Sequence, residues 1–194
     1  MGSRDDTPPG APDDIEDNLR RVTVGAIERP AIVVLDYDPA WPGRFAGHEA
    51  TIRAALGPRA RQVEHVGSTA VPGLAAKPII DILLVVADSA DEAAYLPDLE
   101  AAGYELRIRE PDFHEHRMLR TPQRDVHLHV LSVGSSEIER YLLLRDRLRS
   151  DAADRALYER TKRELARRTW PTMQHYAEAK GAVIEAIMAR ARGD

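Results

Sequence analysis

The sequence has no cysteine, which excludes disulfides, thiolate zinc sites and thiol nucleophiles. A reducing cytoplasm fits that usage. Aromatic residues are scarce, with two Trp, two Phe and six Tyr in 194 residues. The core must therefore be filled mainly by Leu, Ile, Val and Ala. There is no basic excess: 27 Lys and Arg stand against 32 Asp and Glu, for a formal charge of −5. That balance argues against a dedicated binder of duplex nucleic acid, while leaving room for a local basic pocket. Lysine itself is rare, at three of the 27 basic residues, an Arg-for-Lys usage that fits a GC-rich bacterial genome. No apolar run approaches the ~20 residues of a membrane span, and the acidic, Pro-rich start lacks the apolar segment of a secretory signal.

What is present reads as one domain with a sizeable core. Residues 1–30 are expected to form a disordered or loosely attached extension, with a short helix over 14–21 because Ile15 and Leu19 share a face. The domain then runs from 31 to 194. The β-branched run 32–35 predicts a strand, and 41–56 a helix ended by Gly57-Pro58. Strands are expected at 62–66, 104–109, 115–120 and 126–133, and a helix over 91–102 with Gly103 as its terminator. The run IIDILLVV at 79–86 is apolar on both faces, the mark of a central strand covered on both sides. From 136 onward the apolar period is helical. Strands mixed with helices and then a helical C-terminal part indicate α+β.

Asp81 stands inside the most apolar run of the chain. A buried carboxylate has to be paired, protonated or bound to a metal, and pairing within the core is as common an outcome as function. Its surroundings favour function. A strand ends in Gly67-Ser68, a short segment follows, and the next strand carries Asp81; a turn of exposed N–H groups that approaches phosphate needs glycine. The segment EHVGSTAVPGLAAKPIIDILLVV, residues 64–86, resembles the central motif of the GrpB family of predicted nucleotidyltransferase-fold proteins. Further resemblance lies in YDPAW (37–41), EHRMLR (115–120), HLHV (127–130), LLLRDRLR (142–149), LYERTKREL (157–165) and YAEAKGAVIEAI (176–187). The resemblance implies a nucleotidyltransferase-like mixed sheet flanked by helices, and a pocket for an anionic or nucleotide-like ligand.

One departure from that superfamily bears on chemistry. Its members hold two metal ions between carboxylates two residues apart on one strand, and here the second position is Leu83. A two-Mg²⁺ site is therefore disfavoured. Where a third carboxylate is expected, His127 and His129 stand instead, two apart and so on one strand face. His116 and His65 lie in neighbouring segments. Each histidine alone is better explained as a half-buried side chain bonded to a carbonyl or acid. Five of the seven clustering around Asp81 weaken that explanation jointly.

Asp81, His129, His127, His116 and His65 are accordingly the candidate catalytic residues, and Asp81, His127 and His129 the ligands of any metal. Gly67, Ser68, Thr69, Lys77, Arg117, Arg145 and Lys162 are the candidate substrate-binding residues, although most charges in the helical part are expected on solvated faces. Three readings follow: group transfer on a nucleotide or other anionic metabolite, metal-independent acid–base chemistry on a repurposed fold, and a non-catalytic phosphate-binding module. Fold alone does not choose among them.

Overall fold

The computed structural model describes residues 12–27 and 32–193. Five strands, β1 (Gln62–Val66), β2 (Ile80–Val86), β3 (Glu105–Glu110), β4 (His116–Arg120) and β5 (Val126–Ser132), form one sheet in the order β1-β2-β5-β4-β3. β2 and β5 pair in parallel and all other neighbours are antiparallel. The sheet is mixed and the class α+β, as the sequence predicts.

Alternation along β2 sorts its side chains between two layers. Ile82, Leu84 and Val86 face helices α2 (Trp41–Leu56) and α3 (Leu96–Ala101), packing with Trp41, Ile52 and Leu99. Leu83 and Val85 face the other way, against Ile138, Tyr141 and Leu142 of α4 (Ser136–Ser150). Both faces are covered, which is why the run carries no polar alternation except at Asp81. Three further helices, α5 (Ala152–Ala166), α6 (Met173–Ala179) and α7 (Gly181–Arg192), complete the C-terminal part. Leu148, Tyr158 and Ile187 from this part close over Val71 and Leu74 of the loop that follows β1. The helical part is thereby clamped onto the segment between β1 and β2.

Three expectations need correction. The run 32–35 joins no strand of the sheet: Leu35 makes a single antiparallel bridge to Ala76, and Val33 and Leu35 are exposed. β-branched residues alone do not make a strand without a neighbouring edge to pair with. The helix expected over 91–102 is split into a 3-10 turn at Glu92–Ala94 and α3, with Pro97 in the first turn of α3. Proline has no N–H to continue an incoming helix and is favoured at a helix start. In the N-terminal extension, helix α1 (Pro12–Val22) begins two residues before the expected start at 14. It leads into a bridge between Thr23 and Ile108, and the Val24 N–H donates to the Arg107 carbonyl at 2.7 Å. These residues are tied to the outer edge of β3. The disorder expected over 1–11 lies outside the described residues.

Asp154 holds the helical part together. Buried at the start of α5, it accepts hydrogen bonds from Arg147 of α4 at 2.7 Å and from Arg190 of α7 at 2.9 Å. Its own N–H is capped by the Asp151 carboxylate. The Arg190 guanidinium, first, and then Arg147 hold the Asp154 carboxyl below the ordinary carboxylate range. Asp154→Asn should cost about 1.5–3 kcal/mol, the worth of hydrogen bonds to charged groups, measured by urea unfolding at neutral pH. Because the folded value is depressed, this contribution is present above about pH 4, the ordinary aspartate value, and is lost as pH falls through the folded value. The gap between wild type and variant should narrow in acid.

Candidate functional site

The site is built where β1 ends beside β2. Gly67 adopts φ 68° and ψ −167°, a conformation that side chains resist. A Cβ placed there would lie 2.9 Å from Asp81 Cβ and 3.0 Å from Asp81 Cγ. Glycine is thus required twice over, by dihedral and by space. The turn then enters a 3-10 segment, Ser68–Ala70. Thr69 is pinned beneath it: its hydroxyl meets His65 Nε2 at 3.0 Å and donates to the Ile79 carbonyl at 3.1 Å.

Asp81 lies on the α4 side of β2 and is paired in register with His127. Its Oδ1 is 3.4 Å from His127 Nδ1 and 3.7 Å from His129 Nε2. Burial would raise the carboxyl, but the two imidazoles outweigh it and hold the group well below the usual carboxylate range. The three ligand atoms lie within 4.8 Å of one another. Donors bound to one ion at about 2.0–2.2 Å stand roughly 3.0–3.6 Å apart, so this spacing suits a single ion after small shifts. Behind His129, its Nδ1 meets His116 Nε2 at 3.0 Å, and His116 Nδ1 meets a Glu110 carboxylate oxygen at 2.6 Å. An ion shared with Asp81 would take the Nε2 lone pair of His129, with His129 Nδ1–H then donating to His116 and His116 Nδ1–H to Glu110. Outer partners of metal-bound histidines do this work. Leu83 offers nothing: it is fully buried in the apolar layer beneath α4.

On the other side of Asp81 the chain gathers cations. Lys162 of α5 is buried and donates to the Ser68 hydroxyl at 3.0 Å and to the Ala75 carbonyl. Its Nζ stands 4.8 Å from the centre of the Tyr158 ring. Lys77 and Lys180 both lie over the Tyr176 ring, at 5.9 and 4.8 Å. Burial pushes Lys162 down to about 7, helped by Lys180, and Lys77 down to about 8; burial also lowers Lys180. All three feel the negative charge of Asp81. These are the three lysines of the sequence.

The structure therefore brings together Gly67, Ser68, Asp81, His127, His129, His116, Lys77 and Lys162, and sets others apart. Arg117 pairs in register with Val130, on the α2/α3 face of the sheet. There it is buried against Glu92 at 2.6 Å and Glu115 at 3.2 Å. Adjacent strand residues face opposite ways, so His116 and Arg117 cannot both reach Asp81. His65 pairs with Ile82 and likewise faces away, stacked on Phe45 at 4.8 Å. Burial pushes it down to about 4, leaving it a neutral prop for Thr69. Arg145 is engaged with Glu64 at 2.8 Å and Asp146 at 2.7 Å, at the β1 edge of the sheet. Sequence reasoning missed Lys180, Tyr158, Tyr176 and Glu110. For Lys180 a signal existed: in a chain that otherwise uses arginine, each lysine marks a place where a compact ammonium is needed.

Comparison with known proteins places this architecture. The family model described as GrpB protein matches residues 31–190. A UPF0157 protein of Halalkalibacterium halodurans is 55% identical over 178 residues, covering 91% of each chain. The crystal structure of conserved protein GrpB from Enterococcus faecalis superposes with a TM-score of 0.71 at 33% identity, covering 82% of this chain and 96% of that one. The Cid1 poly(U) polymerase, with Mg 3'-dATP bound, gives a TM-score of 0.51 at 13% identity, covering 86% of this chain and 52% of that one. That last likeness is one of fold, the nucleotidyltransferase fold.

Gly67→Ala tests the turn. The positive-φ, extended backbone of Gly67 costs an alanine about 1–3 kcal/mol, before the clash with Asp81 is counted. Thermal unfolding should fall by at least about 2–4 °C, the shift of 1 kcal/mol in a chain of this size. An unchanged melting temperature would mean that the turn adapts freely.

Proposed function

The chain belongs to the GrpB family, and we propose that it is an enzyme acting on a small molecule that carries a phosphate or comparable multiply charged anionic group. The observation that supports this is the convergence of Lys77, Lys162 and Lys180 beside Ser68 and the Gly67 turn. Three ammonium groups partly withdrawn from water, with the Asp81 and Glu159 carboxylates nearby, carry more charge than those two answer and are costly to keep protonated without a further counterion. An incoming anion supplies it. The Ser68 hydroxyl and the turn add directional donors.

In this reading the anion binds at the lysines and the reacting atom faces Asp81, His127 and His129. The reaction class is group transfer. One divalent ion of the borderline type favoured by imidazole fits Asp81, His127 and His129, with Glu110 and His116 fixing the tautomer of His129. Such an ion would act as a Lewis acid on the transferring group. Ordinary two-Mg²⁺ nucleotidyl transfer does not suit a strand that carries Leu83 in place of the second carboxylate.

Acid–base chemistry without a metal is the second reading, favoured by the Glu110–His116–His129 hydrogen-bonded chain, a path able to move a proton to or from His129. The two readings part on metal dependence. Under the first, Zn²⁺ or Mn²⁺ raises the melting temperature of the wild type; Mg²⁺ does not, and Asp81→Asn and His129→Ala abolish the effect. Under the second, no divalent ion shifts it.

Anion binding is tested with inorganic pyrophosphate by calorimetry. Lys162→Gln and Lys180→Gln should each weaken binding at this pocket by about 10- to 100-fold, the worth of one or two charge-assisted hydrogen bonds. Equal affinity in both variants would overturn the proposal. The pH dependence has a defined sign. Lys162, facing Lys180, Glu159, Arg163 and Asp81, and Lys77, facing Asp81 and Lys180, lose protons near 7 and 8 in the free protein. Pyrophosphate affinity should therefore fall as pH rises through that range. Without ligand, the unfolded chain holds protons on these lysines up to about 10.4, so their contribution to stability rises from about pH 7 to about pH 10.

A further inference from the structure

A second concavity, of about 860 Å³, runs along the β1 edge of the sheet between α2 and α4. None of the three lysines lines it, nor does Asp81, although it shares one turn with the lysine cluster: Ser68 meets Lys162, while Ala70 and Pro72 line the groove. Apolar and flat surface comes from Tyr37, Pro42 and Phe45, and charge from Arg53, Arg145, Arg149 and Arg155 against Glu49 and Glu64.

The charges do not cancel. Glu49 accepts from Arg53 at 2.9 Å, and Glu64 accepts from Arg145 at 2.8 Å. Both carboxylates of the lining are thus used, by two of the four arginines. Arg149 donates Nε to the Ala70 carbonyl at 2.9 Å, and its nearest carboxylate, Asp146, stands 3.6 Å off and is already bonded to Arg145. Arg155 donates to the carbonyls of Leu148 and Arg149, at 3.0 and 3.1 Å, and has no carboxylate in ion-pair range among the described residues. Two guanidiniums are therefore held in place by main-chain carbonyls, Arg155 without an ion pair and Arg149 sharing the Asp146 carboxylate with Arg145. Guanidinium pairs so fixed are suited to the oxygens of phosphate. Burial, first, and then Arg145 lower the pKa of Arg149, against the opposing pull of Asp146 and Glu64.

We propose that this groove is a second ligand site, which binds a phosphorylated small molecule bearing a flat ring, its phosphate between Arg149 and Arg155 and its ring against Tyr37 and Phe45. Such an arrangement gives the protein two anion sites on either side of one turn, as a reaction between two charged small molecules requires.

Adenosine 5'-monophosphate and inorganic pyrophosphate serve as probes, with and without the ring. In the wild-type protein, the monophosphate should shift the ring resonances of Tyr37 and Phe45 in NMR spectra, and pyrophosphate should bind without shifting them comparably. The Arg155→Gln variant should weaken monophosphate binding at the groove at least 10-fold and leave pyrophosphate binding at the lysine pocket intact. Lys162→Gln should do the reverse. Monophosphate binding that leaves Tyr37 and Phe45 unmoved, or that Lys162→Gln abolishes while Arg155→Gln does not, would overturn the groove and keep the lysine pocket. Absence of monophosphate binding would overturn it as well. Should Arg155→Gln unfold, the wild-type ring shifts decide alone.

Discussion

The approach of the Gly67 backbone to the Asp81 side chain constrains all the rest. A main-chain segment with positive φ lies in van der Waals contact with a carboxylate, and no other residue type can occupy the position without moving one of them. The carboxylate in turn is held by two imidazoles from β5 on one side, and it draws three ammonium groups on the other. Remove the close approach and Ser68 loses its place against Lys162. Prop residues on the far face, His65 and Thr69, hold the turn from beneath. The site thus sets Asp81 between an imidazole flank from β5 and a cationic flank of lysines.

That division of labour follows from sheet geometry. Strand alternation puts His116, His127 and His129 on the face of Asp81 and sends His65 and Arg117 to the other. The apolar layer formed by Leu83, Val85 and Leu131 under α4 floors the site from one end. The likeness to the Cid1 poly(U) polymerase is one of fold. A leucine at 83 gains packing where a carboxylate would have demanded ions.

Much of this was legible in the sequence, for identifiable reasons. Helix α2 and strands β1, β2 and β5 carry clean periodicity or unbroken apolar runs bounded by Gly and Pro, and they fall within a residue or two of expectation. The common face of His127 and His129 followed from their two-residue spacing, and setting Asp81 with them followed from the nucleotidyltransferase-like resemblance, which implies a further ligand on a neighbouring strand. What spacing does not fix is which face: His116 and Arg117 were equal candidates until register placed one beside His129 and the other against Glu92. The cationic flank was harder still. Lys77, Lys162 and Lys180 come from a loop, from one helix and from the junction of two others, and no local pattern joins positions so far apart. The segment 32–35 misled for the opposite reason, a strong local preference with only Ala76 to bridge to.

The parallel pairing of β2 with β5 carries a temporal implication. Residues 87–125 must be laid down, including the β3–β4 hairpin, before β5 can insert beside β2, and contacts of such sequence separation form late. During synthesis, β1, the Gly67 turn and Asp81 therefore emerge first and wait. The imidazoles join next, then Lys162, and Lys180 after both. A chain stopped before α5 would display Asp81 with Lys77 alone of its three ammonium neighbours, so the cationic flank is assembled in order along the chain and its charge grows as the helices arrive.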